Sequence, residues 1–371
     1  MKIGILTFQR ACNYGAVLQA YALRTFLKRK MGADIEIVDY RNLQIEREYA
    51  VTKFSLEGNI LKEAAASMLC APYRIRRNNA FKRFRQDCLN IKGQGINKQA
   101  LRALNETYDI FIVGSDQVWN MEITGNDESY FLDFVNDEKK RCSYAASIGK
   151  SKFSENQRAE LLLRLKGFSA VSFRESEVAS EFQPMLPDKR LYSHLDPVYL
   201  LEADVWRQLS AAKPCLEPYI LFFTTGNGPE IIPDVEFARK IAAERGMKAL
   251  FLSDQDRWFK HRSLKHCGAV MPQEFLSLID HAACVVTNSF HATSFSIMLH
   301  TPFYVETDLP RSGRLLNILR LFGMEDRQLK RGEPVCRIES AINWARADEE
   351  IRERREQSEN YLSAIIQGEY A

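Results

Sequence analysis

Long apolar runs, paired cysteines and a strong charge of one sign are all missing from this 371-residue sequence. No uninterrupted hydrophobic stretch approaches the roughly 20 residues needed to span a bilayer. Met1-Lys2 leads straight into Ile3-Gly4-Ile5-Leu6-Thr7-Phe8, which is too short and too strand-like for the core of a secretory signal. A cytoplasmic protein is expected, one that at most touches the inner face of a membrane. The eight cysteines, Cys12, Cys70, Cys88, Cys142, Cys215, Cys267, Cys284 and Cys336, include no C-x-x-C pair and read as reduced thiols. The six histidines do not fall near them at ligand spacing and no Asp-rich cluster occurs, so neither a metal nor a cofactor is expected. A net charge of only +3 argues against bulk polyanion binding and against a nucleic-acid partner; any basic site must be local. Fixed-period repeats and low-complexity segments are absent too.

What remains is an ordinary globular composition, 46% hydrophobic and 27% charged. The chain exceeds the roughly 250–300 residues at which one core stops growing. Its opening reads as a β-loop-α unit: a strand over Ile3–Phe8, a polar loop, and a helix from Gly15 to Lys30 with Asn13 as N-cap and Gly32 as stop. Further strands are expected at Ile35–Tyr40, Tyr108–Gly114, Arg141–Ser147, Ala170–Arg174, Tyr219–Phe223, Ala249–Ser253 and Ala283–Thr287. Helices are expected between them, at Val235–Arg245, Ala292–Leu299 and Leu315–Phe322 among others. Strand–helix alternation predicts α/β domains built on parallel sheets. The expected division is 1–210, 211–335, and a charged helical tail over 336–371 that either stays solvated or packs back on the first domain.

Ligands of such sheets bind beyond the carboxyl ends of the strands, and four polar clusters follow predicted strands. Cys12-Asn13-Tyr14-Gly15 would offer an anion the start of a helix, or merely let the helix approach the sheet. Gly114-Ser115-Asp116-Gln117-Val118-Trp119-Asn120 carries a carboxylate, two amides and an indole, suited to a sugar; Asp116 is a candidate base, or else caps a helix while Trp119 fills the core. Arg174, in Ser172-Phe173-Arg174-Glu175, can grip a carboxylate or phosphate, or pair with Glu175 or Glu177. His291, at the helix start after Thr287-Asn288-Ser289-Phe290, can donate a proton or bind phosphate. Arg311 and Arg314 could reach a phosphate from a nearby loop. The stretch Arg74–Arg85 has six Lys or Arg and no acid, fit for an anionic lipid-linked sugar or membrane surface, or simply a solvated helix face.

In sequence order, Asn13-Tyr-Gly-Ala-Val-Leu-Gln-Ala-Tyr-Ala-Leu23, Gly114–Asn120, Ser143–Ser147, Ser172–Glu175, Asp196-Pro-Val198 and Asn288–Ala292 resemble the blocks of polysaccharide pyruvyl transferases. The resemblance implies two Rossmann-like domains facing each other in a glycosyltransferase-B-like architecture. It implies phosphoenolpyruvate as donor, and a sugar or lipid-linked saccharide as acceptor that leaves as a ketal. Arg174 and His291 match the family's donor-binding arginine and histidine. The family's arginine two residues before that histidine is here Ser289, so Arg311 or Arg314 would have to supply its charge. The implied roles are catalysis by His291, Asp116 and Arg174, donor binding by Arg174, Ser289, His291, Arg311 and Arg314, and acceptor binding by Asn13, Tyr14, Asp116, Gln117, Trp119 and Asn120. A nucleotide-sugar glycosyltransferase on the same fold and a non-catalytic sugar-binding protein are the alternatives.

Overall fold

The computed structural model of the chain describes residues 1–52, 60–149, 153–213, 217–225, 232–254, 265–307, 313–329 and 341–369. Its strands are β1 (Lys2–Leu6), β2 (Asp34–Ile37), β3 (Ile110–Val113), β4 (Arg141–Ser143), β5 (Val171–Phe173) and β6 (Leu191–Ser193), then β7 (Tyr219–Thr224), β8 (Lys248–Ser253), β9 (Lys265–His266), β10 (Cys284–Thr287), β11 (Phe303–Glu306) and β12 (Gln328–Leu329). Helices α1 (Tyr14–Met31), α2 (Leu43–Glu48), α3 (Ile60–Asp87), α4 (Met121–Thr124), α5 (Glu155–Lys166) and α6 (Ser176–Phe182) come first. Helices α7 (Ala203–Leu209), α8 (Ile232–Glu244), α9 (Pro272–Asp280), α10 (Phe290–Met298), α11 (Gly313–Phe322) and α12 (Trp344–Gln367) follow. None of the described helices is long and apolar enough to cross a membrane.

The chain divides into two compact units, Met1–Tyr49 with Arg83–Leu201 and Arg352–Ala371, and Ala50–Lys82 with Glu202–Ile351. In the first, β2-β1-β3-β4 form one parallel sheet and β5-β6 a parallel pair. Bridges Cys142–Ala170 and Ala146–Phe173 continue the ladder from β4 to β5, so strand order reads 2-1-3-4-5-6. Central strands such as Ile110–Val113 are buried on both faces, which is why they are continuous apolar runs. Helix α1 begins as expected: the Asn13 side chain accepts the Ala16 N–H at 3.2 Å, Gly32 ends the helix at φ 61°, and Lys28, Arg29 and Lys30 lie in the last turn, where the dipole favours cations.

The second unit holds one parallel six-stranded sheet, β12-β11-β10-β7-β8-β9. Numbered within the unit this is the Rossmann order, and it reverses between β7 and β10. The core around them is Ile220, Phe222, Phe251, Cys284 and Val286.

One expectation about organisation is corrected. Residues 50–82, placed by sequence in the first domain, group with the second unit. The reason is α3: Tyr73 donates its hydroxyl to the Ser253 carbonyl at 3.3 Å and Arg77 donates to the Asp254 carbonyl, both at the end of β8. The tail takes the second of its two expected forms and packs back on the first unit. From Arg352 on it belongs to the first unit, where Arg355 donates to the carbonyls of Tyr199 (2.9 Å) and Leu201 (3.1 Å) and Tyr361 to that of Ser143 (2.8 Å).

Beside the tail, the His194 ring stacks on Tyr144 and lies 4.6 Å from Tyr361, with Nδ1 2.7 Å from the Ser172 hydroxyl. Burial, reinforced by the Arg354 charge, pushes its pKa from 6.5 down to about 4. Between those values the unfolded chain binds the extra proton. The contribution is therefore intact above pH 6.5 and is lost as pH falls toward 4, roughly 3 kcal/mol in all. Urea titrations at pH 7.5 and 4.5 check this: His194→Phe should lose less stability over the interval than the parent, and equal losses would refute it.

Candidate active site

In a parallel sheet the carboxyl ends of the strands share one edge, and in the first unit the residues following β1, β3, β4, β5 and β6 form a continuous polar network there. After β1, Thr7 donates to the Ser115 carbonyl (2.9 Å) and its hydroxyl oxygen accepts from Gln19 (2.8 Å). After β3, the Ser115 hydroxyl donates to Asp196 Oδ2 at 3.0 Å. The same oxygen accepts Arg174 Nη1 at 2.8 Å, while Asp196 Oδ1 accepts the Val198 N–H at 3.1 Å. The Arg174 and Asp196 side chains are 4% and 0% exposed, so this is a buried ion pair. The partner is Asp196, not the Glu175 or Glu177 considered from sequence.

Glu175 has a different neighbour. Its Oε1 accepts the Ser147 hydroxyl, whose oxygen accepts the Gly149 N–H at 3.1 Å. Its Oε2 is buried and meets no hydrogen-bond partner among the described residues. Burial alone would lower the Arg174 pKa; the charges of Asp196, Glu175 and Asp116 outweigh it and raise it. Three carboxylates thus act on one guanidinium. Arg174, expected as a donor ligand, is held by Asp196 through Nη1.

Asp116 sits at the tip of this network with φ 79°, a left-handed conformation costly for a non-glycine residue and a mark of functional loops. Its carbonyl accepts the N–H groups of Ser147 (2.9 Å) and Val118 (2.8 Å), and its Oδ1 accepts that of Gln117 (2.8 Å). Gln117 and Asn120 are joined by a 3.0 Å amide–amide bond, and Asn120 also accepts the Glu122 N–H at the start of α4. A Cβ at Gly149 (φ 75°) would fall on Gln117 Oε1, so only glycine lets the two loops close.

Two acceptor-side expectations are corrected by packing. Trp119 is 1% exposed, stacked on Phe131 at 5.6 Å with its indole N–H donated to the Tyr130 carbonyl at 3.0 Å. Its ring face is core, not a platform for a sugar. Tyr14 is buried in the first turn of α1, and Asn13 is committed to capping that helix. Sequence reasoning passed over Gly149 and His194, and it met Ser147 and Asp196 only as parts of motifs. Their shared signal is position after a strand, obscured because β4, β5 and β6 have only three residues each.

In the second unit the polar cluster lies where strand order reverses. Asn288, after β10, accepts the Thr225 N–H (2.8 Å) after β7. Ser289 is the N-cap of α10, its hydroxyl accepting the Ala292 N–H at 3.4 Å. The position where relatives place arginine therefore serves here to start the helix, a task a guanidinium cannot perform. His291 is partly exposed in the first turn, edge-on to Phe290 at 5.3 Å. Arg314 lies in the first turn of α11, partly exposed; Arg311 lies outside the described residues.

This combination of strand order and strand-end clusters defines a glycosyltransferase-B-like α/β protein with two Rossmann-like domains. Solved structures with a similar fold include the UDP-GlcNAc 2-epimerase of Methanocaldococcus jannaschii, in complex with UDP-GlcNAc and UDP (TM-score 0.51, 12% identity, 99% of each chain covered). Another is the UDP-GlcNAc 2-epimerase of Neisseria meningitidis bound to UDP-GlcNAc (TM-score 0.51, 11% identity, 99% of each chain). At such identities the likeness is one of fold alone. Among curated proteins none matches this chain significantly. The family model of polysaccharide pyruvyl transferase matches residues 13–306, and the chain belongs to that family. The match contains every cluster described above except the residues beyond Glu306.

Proposed function

We propose that this protein transfers a pyruvyl group from phosphoenolpyruvate to a sugar of a cell-surface polysaccharide or its lipid-linked precursor, forming a ketal. Family membership supports the reaction class. The observation that carries the division of labour is the carboxylate excess around Arg174, which suits an uncharged polyhydroxylated acceptor in the first unit. The anionic donor falls to the second unit, where His291 and Arg314 stand at helix starts and the dipoles favour negative charge.

In this scheme His291 protonates the methylene carbon of phosphoenolpyruvate, which becomes the methyl group, and leaves an oxocarbenium-like carbon. One sugar hydroxyl adds to that carbon; a second then displaces phosphate and closes the ketal. Two hydroxyl protons must leave. Asp116 and Glu175 are the groups assigned to accept them, Gln117 and Asn120 orient the sugar, and the Arg174–Asp196 pair holds the loops in register.

A second reading uses a nucleotide-sugar donor. It draws on the Rossmann strand order of the second unit and on the UDP-GlcNAc found in the two structures of similar fold. Both readings are tested by incubating the purified protein with phosphoenolpyruvate or a panel of nucleotide sugars plus candidate saccharides, following phosphate release and product mass. Phosphate released together with a pyruvylated saccharide is the expected result. Turnover of a nucleotide sugar with phosphoenolpyruvate untouched would overturn the proposal. Glu175→Gln, which keeps the Ser147 contact, should lower kcat by about 10²–10⁴-fold; unchanged kcat would remove Glu175 from the mechanism.

A further inference from the structure

Helix α3 sorts its side chains by angle. At 3.6 residues per turn, Cys70, Arg74, Arg77, Phe81 and Phe84 fall on one side and are buried. Met68, Leu69, Ile75, Arg76, Lys82 and Arg83 fall on the other and are exposed. The latter form two adjacent heptad rows, 68-75-82 and 69-76-83. Each row begins apolar and ends basic.

The apolar part is unusual. Met68, Leu69 and Ile75 are 77%, 66% and 47% exposed, three large side chains within two turns. A single exposed hydrophobic residue needs no explanation, but a contiguous group of them does. The basic part is equally one-sided, since the sequence from Ala64 to Gln86 contains no acid. Within this run three arginines lie off the exposed face: Arg74 donates to the Val51 carbonyl (2.8 Å) and the Ser67 hydroxyl (3.1 Å), Arg77 donates to the Asp254 carbonyl, and Arg85 is partly buried. The cations left on the face are those that can meet an outside partner.

We infer that this face of α3 docks on an anionic lipid surface. Met68, Leu69 and Ile75 enter the boundary between headgroups and acyl chains, and Arg76, Lys82 and Arg83 pair with lipid phosphates, the combination of apolar insertion and basic attraction by which interfacial helices bind. A second copy of the chain is a poorer occupant. Two such faces packed together would set three cations of each against basic or apolar surface, with Asp87, at the end of the helix, the one described carboxylate on the face to offset them. The inference stands apart from the proposed reaction, because binding is read without turnover.

The test is co-sedimentation of the full-length chain with vesicles of phosphatidylcholine alone or mixed with phosphatidylglycerol. Binding to the mixed vesicles only, weakened by high salt, is expected. Met68→Ser/Leu69→Ser/Ile75→Ser and Arg76→Gln/Lys82→Gln/Arg83→Gln should each weaken it by roughly tenfold or more. Their circular dichroism should match the parent's, because every changed side chain is exposed. No binding to anionic vesicles, equal binding to neutral ones, or parental binding by both triple variants would overturn the inference. So would a parent that is dimeric and a serine variant that is monomeric, with neither binding vesicles, since the face would then join two copies of the chain.

Discussion

Asp196→Ala should destabilise the protein by about 3–5 kcal/mol, the range for removing one partner of a buried ion pair. Asp196 is fully buried and accepts from Arg174, Ser115 and the Val198 backbone. Its loss strands the guanidinium of a 4%-exposed Arg174. Asp196→Asn keeps one of the two acceptor oxygens while removing the charge, and should cost less than Asp196→Ala. The double replacement Arg174→Met/Asp196→Leu should recover much of the stability, because the leftover charge goes with its partner. Urea denaturation followed by circular dichroism reads all three. If the double variant is no more stable than Asp196→Ala, the loss comes from something other than a stranded charge.

His291→Ala should have the opposite profile: near-parental stability and a fall in kcat of about 10²–10⁴-fold at saturating phosphoenolpyruvate and acceptor. The imidazole is partly exposed in the first turn of α10. If the residue acts as proton donor, the loss lies in kcat with donor affinity little changed. If it only holds phosphate, KM for the donor rises and kcat survives. Full turnover by the variant, with both substrates saturating, would exclude either role.

How far the sequence anticipated this arrangement depends on what each residue touches. Strands β1, β3, β7 and β10 were legible because they are central and buried on both faces, which writes them as unbroken apolar runs. The Asn13 cap and Gly32 stop were legible because they act through local backbone bonds. Strands β6, β9 and β12, of two or three residues, carry no such pattern. Side-chain roles were harder. Asp116, Gln117 and Asn120 were singled out by chemistry and position, and all three occupy the strand-end loop. Trp119 was misread because an indole after a strand looks the same in sequence whether it faces ligand or core; only Phe131, Phe168 and Phe173 around it decide the matter. The ion-pair partner of Arg174 was hidden for a similar reason. That partner is 22 residues away, in the loop after a strand too short to be foreseen.

The contacts of α12 have a practical corollary for anyone dissecting the molecule. Because Arg355 and Tyr361 return to cover the carbonyls of Tyr199, Leu201 and Ser143, no single cut of the polypeptide yields either half with its backbone satisfied. The last turns act as a clasp closed from the far end of the chain. Fragments meant to stand alone would have to be stitched from non-adjacent stretches, with the clasp fused back onto residues 1–49 and 83–201.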